Sequence, residues 1–468
     1  MFLKRIFIKD FRALKDVELV FNENFKPTVY PIGSLNGGGK SSLLQLIFSL
    51  LKFSFSNENK DFLSNILSYY LGKNGEFPVA EMDIITSGEV QKISFLTVSG
   101  DFNGINLAVL SEVSNLAAQY EKETKLNAIY AKIANIAENP SEFDKISSSR
   151  QRVLRDYLLS YSKTSGNKGL IEESRSLNGI VRSNSSIEIE DLFRMVHHHH
   201  TDIYIVSDRT RLDLISAKKD LKLTKDSLDK EGCKYICHIG DDTVLLCKST
   251  LDLESLSKIS SKVYLATPAS QVLLFLPKEV RENAFRTYGG SYDYYQKFGE
   301  ILRKTGVFTY GIESSNIIAD AFKSARDKDF RSALESDQYG ENLSKLKRDL
   351  NSFLNDKDIT IDPDFSRVVF KLRSNGQELL PEDLSHGELR KLSIFIWLTV
   401  MNPGNSIVLM DEVEIGMHPD WQFSIVGELQ EWSKDSQFIL ATHSYELCQA
   451  VTPAHVNELR PSLIKKGS

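Results

Sequence analysis

The run PIGSLNGGGKSSLL, residues 31–44, constrains this chain more than any other segment. It sets a glycine cluster and a Lys-Ser-Ser step between a strand-like stretch, PTVYPI (27–32), and a segment where Leu43, Leu44, Ile47, Leu50 and Leu51 recur at helical spacing. A glycine-rich turn in that context can aim successive amide N–H groups at one anion, at the positive end of the helix dipole. Phosphate is the anion that such a cradle suits. Asn36, Gly37, Gly38, Gly39 and Ser42 would line it, Lys40 would bridge the outer phosphates of a nucleotide, and the Ser41 hydroxyl would hold magnesium. The first glycine of the usual pattern is Ser34 here, with Gly33 one residue early. A plain glycine hinge would not need Lys-Ser at this spacing before a helix.

The same strand-and-helix grammar returns about 320 residues later. RVVFKL (367–372), SIVLM (406–410) and QFILA (437–441) read as strands, with helices expected over 387–401 and 419–433. Between the two ends, helices are expected over 111–139, 143–162, 210–230, 278–305 and 316–355. Short strands are expected at 201–208, 234–240, 242–248 and 261–268. With 468 residues, one hydrophobic core is too small a frame. The expected organisation is an α/β core made by residues 1–100 and 366–468 around a mainly helical insertion, 101–365. Basic and acidic residues number 57 and 63, a balance that does not advertise nucleic acid as a partner. Four cysteines suit a reducing cytoplasm, and neither LSIFIWLTVM (392–401) nor the run from Leu43 to Phe55 is long enough for a membrane span.

Downstream of the glycine run, IVLMDE (407–412) is an apolar strand ending in adjacent carboxylates. Asp411 falls at the carboxyl edge of a sheet, where it would support magnesium. Glu412, pointing the other way by strand alternation, would polarise an attacking water. DLSHGELRKL (383–392) precedes this strand and ILATHS (439–444) follows it. At this point the chain resembles the ABC-type ATPase superfamily, in its RecF-, SMC- and OLD-like branch. LSHGE (384–388) is similar to the family signature, His443 to the switch histidine, and DEVEIGMHPDWQ (411–422) to the carboxylate run of the OLD-like proteins. The opening IFIKDFRALKDVEL (6–19) resembles the first strands of that branch.

The resemblance implies an ABC-type P-loop head with ATP and Mg2+ as cofactors, and a dimer or higher oligomer of heads. The ATP held by one loop would be closed by Ser385 and Gly387 of a second copy. His443 would sense the γ-phosphate in its own subunit and Arg12 would add a nucleotide contact; Gln91 and Gln271 are the candidates for the glutamine loop, which the sequence does not place. His386 stands where the signature has a small residue, and Val413 replaces a proline. No HNH or Pro-Asp…Glu-x-Lys nuclease core is recognisable, and too few residues follow His443 for a TOPRIM domain. The expected role is therefore a cytoplasmic switch subunit of a bacterial antiphage defence complex that controls a separate nuclease. A DNA-repair ATPase acting on DNA directly, and an ATP-gated scaffold with little turnover, are the competing readings. His197–His200 reads as a polar loop, and Cys233, Cys237 and Cys247 as buried thiols. FRTYGGSYDYYQKFGEILRK (285–304) mixes aromatics with basic residues, a pattern that fits either a packed surface or single-stranded nucleic acid.

Overall fold

The computed structural model describes residues 1–34, 37–56, 59–107, 110, 208–240, 243–276, 281, 291–310, 314–362, 367–401 and 403–459. The apolar runs near the C-terminal end become strands covered on both faces, which is why they show no polar alternation. They lie in an all-parallel sheet ordered Phe308–Thr309, Val263–Thr267, Ile407–Asp411, Gln437–Thr442, Val29–Gly33, Asn457–Glu458. Alternate residues serve different cores. Ile407, Leu409, Ile439 and Ala441 join the cluster that holds the helix Lys40–Phe53. Val408, Met410, Phe438 and Leu440 join a second cluster with residues of His386–Met401 and Pro419–Trp432.

The helix Lys40–Phe53 is buried nearly all round, every residue from Leu43 to Leu51 included. Only an element packed between layers needs that pattern. Its other cover is a six-stranded antiparallel sheet ordered Leu14–Val20, Phe2–Phe11, Gly75–Thr86, Glu89–Ser99, Thr243–Ser249, Cys233–Ile239. The central hairpin turns over Ser87 and Gly88, both at positive φ (53° and 84°), with Thr86 paired to Glu89. That is the two-residue turn whose twist matches its strands. Gln437 ties the sheets together. Fully buried, its side-chain amide accepts from Leu3 N–H (2.7 Å) and donates to Leu3 C=O (2.9 Å).

The helix expected over 316–355 is two helices, Ser314–Ser336 and Asn342–Ser352. Asp337 takes a positive φ of 58°. The buried Asp329 carboxylate then accepts from the N–H groups of Asn342 (2.8 Å) and Leu343 (2.9 Å), starting the second helix with a side chain of the first. A Cβ at Gly340 would lie 2.5 Å from Asp329 Oδ1, so only glycine fits this crossing. A small antiparallel sheet, Lys357–Ile361, Val368–Leu372 and Glu378–Leu379, packs on this pair through Ile359 and Phe370.

Contacts divide the chain into Met1–Phe102 with Leu228–Ser468, and Asn103–Ser227. The stretch 101–365, expected to stand outside the head, therefore returns much of its length to it. Cys233–Ile239 and Thr243–Ser249 extend the antiparallel sheet, and Val263–Thr267 is an inner strand of the parallel one. Of Asn103–Ser227 the structure describes residues 103–107, 110 and 208–227, the last of these in the helix Asp208–Lys230. The helices expected at 111–139 and 143–162, His197–His200 and residues 201–207 of the strand expected at 201–208 lie outside the described residues. Among the described residues no helix is long and apolar enough to cross a membrane.

Candidate functional site

Three parallel strands deliver the motifs to one edge. Gly33 pairs with Thr442 and Ala441 with Asp411, so the residues that follow Val29–Gly33, Ile407–Asp411 and Gln437–Thr442 emerge side by side. Ligands of open α/β sheets bind at this carboxyl edge. Lys40 is 6% exposed and sits at its centre. Its ammonium donates to Ser34 O (3.1 Å), Ser34 Oγ (3.0 Å) and His443 Nε2 (2.9 Å). An ammonium has no lone pair, so Nε2 is the accepting nitrogen of the ring. Burial lowers the Lys40 pKa, against the pull of Asp411, Glu414 and Glu412.

Asp411 is 2% exposed and accepts from Ser41 Oγ at 3.2 Å. Burial pushes its carboxyl up to about 6, the Ser41 hydrogen bond opposes that, and Glu412 and Glu414 reinforce it. A buried carboxylate held above its usual range beside a serine hydroxyl is an oxygen donor pair short of positive charge. That fits the hard-cation chemistry of magnesium. Glu412 follows the strand rather than continuing it. Its φ is 51°, so its direction comes from a left-handed turn and not from the alternation expected. The Glu412 N–H donates to Ala441 O (2.9 Å), and its carbonyl accepts from Arg390 Nη1 (2.9 Å).

Gly39 takes φ 89° as N-cap of Lys40–Phe53, and a Cβ there would meet Leu14 Cδ2 at 2.7 Å. This close approach seats the turn between Phe2–Phe11 and Leu14–Val20 on the glycine run. Arg12, in that turn, donates to Gln45 Oε1 (3.4 Å), and Gln45 Nε2 donates to Gln271 Oε1 (2.8 Å). Of the two glutamine-loop candidates, Gln271 is therefore linked to the glycine-loop helix. Gln91 instead lies in the antiparallel hairpin, next to Glu89. Gly37 is exposed, Gly38 buried and Ser42 half-buried, while Asn36 lies outside the described residues.

Ser385 is exposed and caps the helix His386–Met401. Its N–H and Oγ donate to Glu388 Oε2 (3.0 and 2.9 Å), and its Oγ accepts from Glu388 N–H (3.3 Å), a reciprocal capping box. Lys357 holds the other carboxylate oxygen of Glu388 at 3.0 Å. Gly387 is pressed on the loop after Asp411: a Cβ would lie 2.6 Å from Gly416 O.

A protein family described as "AAA domain, putative AbiEii toxin, Type IV TA system" matches residues 290–449, the span that carries the capping serine, both carboxylates and His443. Over those residues, about a third of its length, the chain is similar to that family. "Retron Ec83 probable ATPase" of Escherichia coli is 29% identical over 148 residues, 26% of this chain. "DNA repair protein RecN" of Aquifex aeolicus is 35% identical over 86 residues, 18% of this chain. The alignments reach over 27% and 16% of the length of those two curated relatives. The SMC head domain from Thermotoga maritima aligns over 96% of this chain and 92% of its own, at 10% identity and a TM-score of 0.37.

The structure also brings in residues that sequence reasoning passed over. Glu414, 6% exposed, accepts from the His443 backbone N–H at 2.8 Å, while its Oε2 is buried with no hydrogen-bond partner. Its spacing, two residues past Glu412 in the quoted run, was the available signal. Arg390 packs over the Tyr310 ring (4.5 Å) beneath the same loop. Cys233, Cys237 and Cys247 are buried free thiols, and burial pushes Cys237 and Cys247 up to about 12. Of the aromatic and basic run 285–304, residues 285–290 lie outside the described residues. Phe298, on the helix Ser291–Thr305, is buried in the main core.

Proposed function

We propose that this chain binds ATP with Mg2+, hydrolyses it between two facing copies, and acts as the nucleotide-driven switch of a bacterial antiphage defence complex whose nuclease is a separate protein. The observation that carries the ATP reading is the cluster of Lys40, Ser41, Asp411 and His443 on one sheet edge. Gly37, Gly38, Gly39 and Ser42 would surround the phosphates, Arg12 would add a contact, and Ser41 and Asp411 would hold magnesium. Bound there, magnesium would supply neutralisation of phosphate charge. Lys40 keeps the outer phosphates in line, Glu412 orients the attacking water, and His443 gives up its bond to Lys40 when a γ-phosphate takes its place. Ser385 and Gly387 of a second copy close the site.

The defence role rests on the naming of the retron relative and of the matching family. Its setting is the bacterial cytoplasm. The similarity to a repair protein favours one second reading, an ATPase that acts on DNA directly. One set of experiments separates them. Purified chain should hydrolyse ATP, with Lys40→Ala losing nucleotide binding and Glu412→Gln binding ATP without turnover. Plasmid and linear DNA should stay intact and leave the rate unchanged, and a nuclease should co-purify from the native operon. DNA-stimulated turnover without a co-purifying nuclease would favour the repair reading. Nucleotide-dependent assembly without turnover would leave only a scaffold.

A further inference from the structure

The signature segment and the catalytic carboxylate belong to different composite sites when two heads face each other, yet in one chain they are joined. Arg390 lies one turn into the helix His386–Met401, which Ser385 caps. Its Nη1 reaches the Glu412 carbonyl at 2.9 Å, an oxygen that also takes the Ile415 N–H at 3.3 Å. The guanidinium lies over Tyr310, a buried ring whose hydroxyl donates to Ala266 O (3.4 Å) in the neighbouring strand. Burial lowers the Arg390 pKa, with Tyr310, Glu414 and Glu412 favouring the charge. A second junction lies one turn earlier, where Gly387 touches the Gly416 carbonyl.

Glu412 needs such a hold. A non-glycine residue at φ 51° is in a costly conformation that persists only where its surroundings over-determine it. Both of its backbone polar groups are engaged, the N–H by Ala441 of the strand leading to His443 and the carbonyl by Arg390. Rotating the peptide plane between Glu412 and Val413 would break the Arg390 bond, and moving the signature helix would pull that plane. Resting on the role proposed above for Glu412, we propose that Arg390 is the positioning residue through which the signature helix sets the direction of Glu412 in the same head. When Ser385 engages the nucleotide of a facing copy, the shift is delivered to the carboxylate that works on this copy's own nucleotide. The two sites of a dimer are thereby coupled, through a hydrogen bond to a backbone carbonyl.

The test compares Arg390→Met, which keeps cover over Tyr310 but cannot donate, with Arg390→Lys, which can. Lys391→Met serves as the control, since Lys391 is on the same helix but bonds Glu428 (2.8 Å). Steady-state ATP hydrolysis and amide hydrogen exchange over 411–417 are read on each. Arg390→Met should lower kcat about tenfold or more with ATP affinity nearly unchanged, and should speed exchange at Glu412 and Ile415. Arg390→Lys should recover part of both, and Lys391→Met should leave both near wild type. Wild-type kcat in Arg390→Met, lost turnover without faster exchange, or an equal loss in Lys391→Met would overturn the proposal. A wild-type chain without turnover would refute the hydrolysis reading, while the exchange data would still decide whether Arg390 holds Glu412.

Discussion

Replacing Asp411 with asparagine should make the nucleotide-free protein more stable while removing the carboxylate proposed above to hold magnesium. The carboxyl is 2% exposed and pushed up to about 6 by burial, against an ordinary value of 3.8. A gap of about two units at roughly 1.4 kcal/mol each makes the ionised form cost on the order of 3 kcal/mol in the fold at neutral pH. Asparagine keeps an acceptor for Ser41 and carries no charge, so most of that cost should be relieved. The sign follows from which state ionises first. Below about pH 4 the carboxyl is neutral folded and unfolded, and the two proteins should match. Between about pH 4 and 6 the unfolded chain ionises ahead of the folded one, and wild type falls behind; above about pH 6 the difference is complete. Denaturant unfolding of both proteins across this range, with chelator and without nucleotide, reads the gap directly. Adding magnesium and ATP should reverse the order, because a ligand that binds only the folded wild type stabilises it by mass action. A variant no more stable than wild type at neutral pH, or a gap independent of pH, would refute the reasoning.

Gly39→Ala should cost roughly 1–2 kcal/mol from the left-handed backbone alone, and more because the new Cβ must displace Leu14. Thermal unfolding and ATP titration should both show the loss. Mixing Lys40→Ala chains with Ser385→Arg chains should restore part of the ATPase activity, because each mixed dimer keeps one intact composite site. No recovery in dimers shown to form would place the site within one chain. Gln437→Leu leaves the Leu3 N–H and C=O buried and unpaired, so unfolding should show a loss of roughly 2–4 kcal/mol.

The sheet edge was legible because buried parallel strands are written as continuous apolar runs, and Ile407–Asp411 and Gln437–Thr442 carry no competing period. The hairpin Gly75–Ser99 was harder to read. Its exposed positions hold Glu76, Glu81 and Lys92, and the Ser-Gly at its turn says only that the chain reverses. The strands within 233–267 were recognisable, but nothing local says which sheet they join, and so the insertion was drawn too wide. Glu412 marks a different limit: two adjacent carboxylates announce chemistry, but the turn that aims the second depends on Arg390 and Ala441, residues 22 positions before and 29 after in the numbering. Gln271 was one of two equivalent candidates until Gln45 gave it a partner.

The neighbours of Val29–Gly33 in the parallel sheet carry a consequence for synthesis. Among the described residues, the strand that leads into the glycine run pairs with Gln437–Thr442 and Asn457–Glu458, both some four hundred residues downstream. At the roughly 5–20 residues per second of translation, this strand waits on the order of 20–90 seconds for its first partner to be made. During that interval Val29, Tyr30 and Ile32 have no sheet to join. A nascent chain can therefore hold the complete 31–44 run, Lys40 included, before the sheet edge that the proposed nucleotide site needs has formed, because Gln437–Thr442 must be made first.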